Sequence, residues 1–233
     1  MSISEIPTDG CKPVRQALSP SQEDYLKQIF LLGNGVESVS TRDLSVRLDV
    51  RPASVTGMVQ RLAEYGLLSY EPYRGVTLTD SGRRVALEML RHHRLLETFL
   101  EKVLGYGWDE VHDEAERLEH VISERFEARI AESLGHPTRD PHGDPIPDAD
   151  LRLPTATGEI ELTRIEAGKV ARLSRVGTQD ADSLNLLSKL GLIPGVMVEV
   201  LETAEGAVRV AIERERFLLP CELAAELWFQ EDE

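Results

Sequence analysis

The 233 residues predict a mainly helical chain that ends in a small β domain. Three observations lead there. Apolar residues recur at helical spacing in three short runs between positions 19 and 65, and two strand-like runs close that region. Two longer helical patterns follow, near 80–104 and 108–134. From about residue 159 the pattern changes to brief apolar runs punctuated by glycine.

Ser19-Pro20-Ser21-Gln22 opens the first helix with a polar cap, a first-turn proline and Gln22 three residues past Ser19. Tyr25, Leu26, Ile29 and Phe30 form its apolar face, and Gly33-Asn34-Gly35 ends it. Thr41 is expected to cap a short second helix holding Leu44, Val46 and Leu48. After the turn Asp49-Val50-Arg51-Pro52, Ser54 starts a third helix through Tyr65, closed by Gly66. Residues 67–71 and 76–79 read as strands around the basic turn Pro72-Tyr73-Arg74-Gly75. One long helix is expected over 80–104, broken by Gly105 and Gly107, and another over 108–134, stopped by Gly135-His136-Pro137. Five prolines between 136 and 155 mark a linker or extended wrap. Beyond it lie short strands, one helical piece over 181–190, and a closing amphipathic turn through Trp228, which suggests an SH3-like barrel. The expected domains are 1–79, 80–155 and 156–233.

Helix, short helix, turn, helix and a two-stranded wing is the order of a winged helix-turn-helix, a DNA-reading unit. The N-terminal end of its third helix offers Arg51, Pro52, Ala53, Ser54, Thr56, Gly57 and Gln60, side chains small or polar enough for a major groove. Arg51 and Arg61 suit phosphates, and Arg74 on the wing suits the backbone or minor groove. Net charge is −15, which by itself argues against a nucleic-acid partner. Residues 42–94 nevertheless carry 9 basic and 6 acidic groups, whereas 95–170 carry 8 basic and 18 acidic. The reading unit is the one positive segment, and the most negative segment is where a cation is welcome.

The two long helical patterns carry candidate ligands. His93 and Glu97 stand four residues apart on one helix, and His112, Glu116, Glu119 and His120 share a stripe on the next. A short glycine-rich turn between the helices implies antiparallel packing, so the two faces can meet. Where two imidazoles and several carboxylates converge, each carboxylate repels its carboxylate neighbours unless a cation sits between them. His92, beside them, reads as an exposed neighbour, and a solvated acidic face is the plainer alternative for single members. His112-Asp113-Glu114-Ala115-Glu116 lacks the second histidine of a zinc protease motif, and no paired Glu-x-x-His di-iron pattern is present, so catalysis is the lesser reading. Cys11 and Cys221 form no CxxC pair and read as separate thiols in a reducing cytoplasm. No run of about 18 apolar residues occurs, and residues 1–13 read as a frayed arm rather than a secretion signal.

His93-Arg94-Leu95-Leu96-Glu97, the run from Val111 to His120 and Asp140-Pro141-His142-Gly143-Asp144-Pro145-Ile146-Pro147 together resemble the diphtheria toxin repressor family of iron- and manganese-dependent regulators. The resemblance covers nearly the whole chain. It implies a homodimer that binds double-stranded operator DNA, a metal-binding dimerisation domain and two metal sites per chain. One site would use His93, Glu97 and His112. The other would use Glu116, Glu119 and His120 with Asp24. Iron-type members place Met and Cys where Asp24 and Glu116 stand, and hard carboxylates favour Mn2+, with Fe2+ the alternative. Lys27 stands where some manganese-type members carry another carboxylate. Asp180 and Ser183 fall near positions from which the SH3-like domain of iron-type members supplies ligands. Metal joining Asp24 to the second helical region would set the spacing of paired reading heads, and so operator affinity. A His/Glu metalloenzyme and a metal-independent DNA-binding protein are the competing readings.

Overall fold

The computed structural model describes residues 18–71, 74–154, 158–204 and 206–231. Cys11, the N-terminal arm and the wing residues Pro72 and Tyr73 lie outside them. The chain divides into two compact units, Met1–Met89 and Leu90–Glu233.

The first unit begins with α1 (Pro20–Leu32), whose capping box joins Ser19 and Gln22 as expected. Next come α2 (Thr41–Arg47) and α3 (Pro52–Glu64). Both starts differ from the sequence expectation. Ser40, not Thr41, caps α2, because its hydroxyl accepts from the Asp43 amide at 3.0 Å. In α3 the helix starts at Pro52 rather than Ser54, since proline lacks the amide that a first-turn position would leave orphaned. Strands β1 (Leu68–Glu71) and β2 (Gly75–Leu78) form an antiparallel wing in register Leu68 with Leu78. Val39 bridges to Val76, and the Ser38 hydroxyl donates to the Arg74 carbonyl at 2.6 Å, so the wing is tied to the chain ahead of α2. Leu26, Leu44, Val55, Val59, Leu62 and Val76 are buried. The exposed face of α3 is left polar.

Helix α4 (Asp80–Leu104) has the expected bounds. The expected helix over 108–134 is two: α5 (Val111–Leu118) and α6 (Glu124–Ser133). The Ser123 side chain accepts from the Phe126 amide and starts a new helix, which interrupts the first after Glu119. Leu95, Leu96, Leu100, Val111, Ala115, Ile130, Ala131 and Ile146 form the core here. Ile146 belongs to the proline-rich segment, which therefore packs as the extended wrap rather than the linker of the two expected forms.

The C-terminal part is a six-stranded antiparallel sheet in the order β3-β8-β4-β5-β6-β7. Its strands are β3 (Glu159–Glu161), β4 (Val170–Val176), β5 (Met197–Ala204), β6 (Ala207–Ile212), β7 (Glu215–Pro220) and β8 (Leu227–Glu231). Helices α7 (Ala181–Lys189) and α8 (Cys221–Ala224) lie between strands in sequence. The expected closing turn through Trp228 is strand β8 instead, with Phe229 opposite both Ile160 and Leu173. Its alternating burial satisfies a strand, and pairing on both edges satisfies its backbone. Phe229, Leu173, Leu184, Leu187 and Val210 share one core. Cys221 is a half-buried free thiol. Among the described residues no helix is long and apolar enough to cross a membrane.

The proline-rich segment meets the barrel at one tight place. The Val176 amide donates to the His142 carbonyl at 2.8 Å. Gly143 has φ +87°, and a Cβ there would run into the Ser174 carbonyl oxygen and lie 2.9 Å from Arg175 Cα. Gly143→Ala is expected to destabilise by at least about 1–3 kcal/mol, from backbone strain plus that clash. Urea unfolding followed by tryptophan fluorescence reads this unit alone, because the chain's 2 tryptophans, Trp108 and Trp228, both lie in it. An unchanged midpoint would refute the close packing.

Candidate metal centre

The middle of α4 is buried on all sides: Arg91, His92, His93, Arg94, Glu97 and Thr98 are each at most 8% exposed. An amphipathic reading reserves one face for solvent, which is why His92 read as exposed. His92 is instead covered by the turn after α5 and by α6: its Nδ1 lies 3.1 Å from the Glu119 carbonyl oxygen and its Nε2 2.9 Å from Glu127 Oε2. The proline-rich segment covers Arg91 and Arg94, which donate to the Pro147 and Pro145 carbonyls, both at 2.6 Å.

His93 sits among the ligand candidates. Its Nε2 lies 2.9 Å from Glu97 Oε1 and 3.1 Å from His112 Nδ1, and its Nδ1 lies 2.6 Å from Glu119 Oε2. His112 Nδ1 is 3.2 Å from Glu97 Oε1, and its Nε2 is 3.9 Å from Glu116 Oε1. Donor atoms of His93, Glu97 and His112 lie within 4.8 Å of one another, as do those of His93, Glu116 and Glu119. α4 supplies His93 and Glu97, and α5 supplies His112 and Glu116. Glu119 is the C-cap of α5 with helical backbone angles, so it keeps its place on the stripe although the helix has ended. His120 follows in the turn, Nε2 3.6 Å from Glu119 Oε1.

Two further residues join this cluster that sequence reasoning passed over. Asp140 and His142 come together with Glu97 as a third group of donors. His142 Nε2 faces the Trp108 carbonyl at 3.0 Å, and its ring lies 5.2 Å from the Trp108 ring. Its Nδ1 lies 3.8 Å from Glu97 Oε2, buried and with no hydrogen-bond partner. The signal in the sequence is a histidine between two aspartates, in a stretch whose prolines mark only a linker or extended wrap.

The charges are costly to hold. Burial pushes the Glu97 carboxyl up, and His93, His112 and His142 more than reverse it, holding it well below the usual carboxylate range. Burial opposes charging His142, but the nearby carboxylate of Glu97 and then that of Asp140 raise it to about 9. Burial, then Glu97 and Asp144, pushes Asp140 well above its ordinary value. Protons thus balance the carboxylates, and a divalent cation could do so in their place. Oxygen and nitrogen donors converging on shared points, with the buried Nδ1 of His142 turned inward, fit such an ion.

Asp180 is placed elsewhere. It is the N-cap of α7, accepting from the Ser183 amide at 2.9 Å, and those Ser183 bonds lower its pKa. Among the described residues it joins none of the donor groups. Asp24 lies on α1 in the first unit, half-buried. The DNA candidates share one region of that unit. Arg51 is the N-cap of α3 and Pro52 its first residue; Ala53, Ser54, Gln60 and Arg61 are exposed, and Thr56 is half-exposed. Arg74, on the wing, is exposed and 3.1 Å from Glu71.

Three family models match successive parts of the chain. Residues 17–76 match the model of an iron dependent repressor, N-terminal DNA binding domain. Residues 79–148 match the iron dependent repressor, metal binding and dimerisation domain, and 160–230 match the FeoA domain. The iron-dependent repressor IdeR of Mycobacterium tuberculosis is 36% identical over 220 residues, covering 89% of this chain and 95% of that protein. The HTH-type transcriptional regulator MntR of Lysinibacillus sphaericus is 39% identical over 114 residues, 49% of this chain and 81% of that one. A solved structure described as a manganese-dependent transcriptional repressor in complex with manganese superposes with a TM-score of 0.85 at 41% identity, covering 91% of this chain and all of that one. Two of these relatives are described as repressors and the third as a transcriptional regulator. The chain belongs to the iron-dependent repressor family, that of the diphtheria toxin repressor, whose members are metal-dependent DNA-binding transcriptional repressors.

Proposed function

We propose that this chain is a manganese(II)-responsive repressor that binds operator DNA as a homodimer and controls metal-uptake genes. One observation carries the metal choice: every donor in the clustered groups is a carboxylate oxygen or an imidazole nitrogen, with no sulfur among them. Hard oxygen donors suit Mn(II), and the affinity series alone does not select it. The manganese-loaded relative, similar over the whole of its length, supports the same choice. Fe(II) is the second reading, favoured by the iron-dependent relatives that match most of the chain.

Two ions per chain are proposed. His93, Glu97 and His112 would hold one, with Asp140 and His142 adjoining through Glu97. Glu116, Glu119 and His120 would hold the other, with Asp24 as the further ligand the family resemblance implies. Bound metal supplies positive charge that lets these carboxylates pack together. The chain's own part is to place them: α4 and α5 hold the imidazoles at fixed spacing, and the buried surroundings exclude water. Coupling between metal and operator is reciprocal, so DNA raises metal affinity by the same factor as metal raises DNA affinity. In the reading unit, Gln60 and Ser54 face the groove while Arg51, Arg61 and Arg74 meet phosphates.

A randomised 30-base-pair duplex library, enriched on the full-length protein in Mn(II), tests the reading. Retention is expected to fall roughly 5–150-fold in EDTA, the usual span of such couplings, and to return with Mn(II). Full recovery with anaerobic Fe(II) but not Mn(II) would favour the second reading, and retention indifferent to chelation would reject both. Glu97→Gln, Glu116→Gln and Asp24→Ala are each expected to weaken metal-dependent retention by more than about tenfold, since each removes a charged donor.

The DNA face has its own test on the enriched sequences. Gln60→Ala is expected to relax preference at one base position, at about 1–3 kcal/mol. Arg74→Ala should weaken binding evenly across sequences and lower the salt slope by about 1. Uniform loss from both variants, without change in base preference, would remove Gln60 from the reading face.

A further inference from the structure

His92 is fully buried beside the metal centre, yet both its nitrogens are turned away from the clustered donors. Its Nδ1 is 3.1 Å from the backbone carbonyl oxygen of Glu119, and its Nε2 is 2.9 Å from Glu127 Oε2. Both partners are acceptors, so a proton on either ring nitrogen finds one. Glu127, on α6, also accepts from Arg91 Nε at 2.5 Å. Burial pushes the Glu127 carboxyl up, and His92 and Arg91 bring it below its ordinary value, so it stays an ionised acceptor. Two adjacent residues of α4 therefore grip Glu119 from two sides: His92 holds its backbone and His93 its carboxylate.

The gripped carbonyl is one that helix geometry leaves needy. Glu119 is the C-cap of α5, and the last carbonyls of a helix have no intrahelical partner. Without a donor there, the turn that leads to Ser123 and α6 could rotate and carry the Glu119 side chain with it. His92 removes that freedom, and Glu127 fixes the His92 ring.

We propose that His92 and Glu127 form a positioning pair for the metal centre, setting the Glu119 backbone so that its carboxylate faces the ion it would hold with Glu116 and His120. This rests on the metal-binding reading above. Neither residue is a ligand; each acts through Glu119. Outer groups that orient a ligand typically alter metal affinity 10–100-fold.

The test uses full-length protein, with free hexaaqua Mn(II) followed by electron paramagnetic resonance against a competing chelator. His92→Phe keeps a flat ring and removes both ring nitrogens; Glu127→Gln keeps shape and removes the charge. His92→Phe is expected to weaken one Mn(II) equivalent about 10–100-fold while the other is retained, and Glu127→Gln to do so to a smaller degree. The visible spectrum of bound Co(II) should change in both variants. In a Glu119→Gln background, His92→Phe should have no further effect, because the residue it acts through is already lost. An equal His92→Phe effect with and without Glu119→Gln, or unchanged affinity and Co(II) spectrum, would overturn the proposal. If His92→Phe fails to fold, Glu127→Gln decides it by the same cycle. Wild-type protein that binds no Mn(II) or Co(II) would instead overturn the metal-binding reading itself.

Discussion

Two carboxylates, Glu97 and Glu119, lie almost wholly out of solvent, and much of the second unit is organised around compensating them. An isolated buried charge is prohibitively costly, so it must be paired, protonated or given a cation. Here His93 reaches both: one ring nitrogen faces Glu97 and the other Glu119. Because one imidazole serves both groups, a shift of α4 against α5 would disturb them together. Tight geometry of this sort makes metal occupancy consequential for structure, since ions bound by a preformed set stabilise the arrangement that holds them.

The proline-rich segment closes this arrangement from the other side. Proline cannot continue a helix, and five of them in a stretch of about twenty residues leave a run of carbonyls without helical partners. Arg91 and Arg94 take two of those carbonyls, at Pro147 and Pro145. The same segment carries Asp140 and His142 to Glu97 and docks on the barrel through the His142 carbonyl. Gly143 permits that docking, because a side chain there would meet the β4 backbone. Arg175 of β4 stacks over Trp228 at 4.7 Å and reaches Glu159, so the strand that receives the segment is itself held. A stretch that resembles a tether is thus a strap between the metal centre and the barrel.

Charge is partitioned along the chain in a way that suits its two tasks. A net of −15 would repel DNA if it were spread evenly. Instead the positive balance falls on residues 42–94, where α3 and the wing expose Arg51, Arg61 and Arg74. The acidic excess falls on 95–170, where carboxylates gather around histidines. Attraction for an anionic duplex and for a cation can therefore coexist in one chain.

Local chemistry determined much of this from the sequence alone. The Ser19–Gln22 capping box, the bounds of α4, the wing after α3 and the i, i+4 placement of His93 with Glu97 depend on near neighbours, and periodicity reads near neighbours well. The His112, Glu116, Glu119, His120 spacing was legible for the same reason, although the helix ends at Leu118. Tertiary structure alone decided the rest. His92 is buried because the turn after α5 and Glu127 of α6 cover a face that spacing assigned to solvent, and Asp140 and His142 reach Glu97 across more than forty residues of chain. β8 replaced the expected turn at Trp228 because two partner strands, distant in sequence, offered it hydrogen bonds on both edges. Periodicity carries no record of which distant surface will lie against a given face, and burial, pairing and ligand convergence are all properties of that meeting.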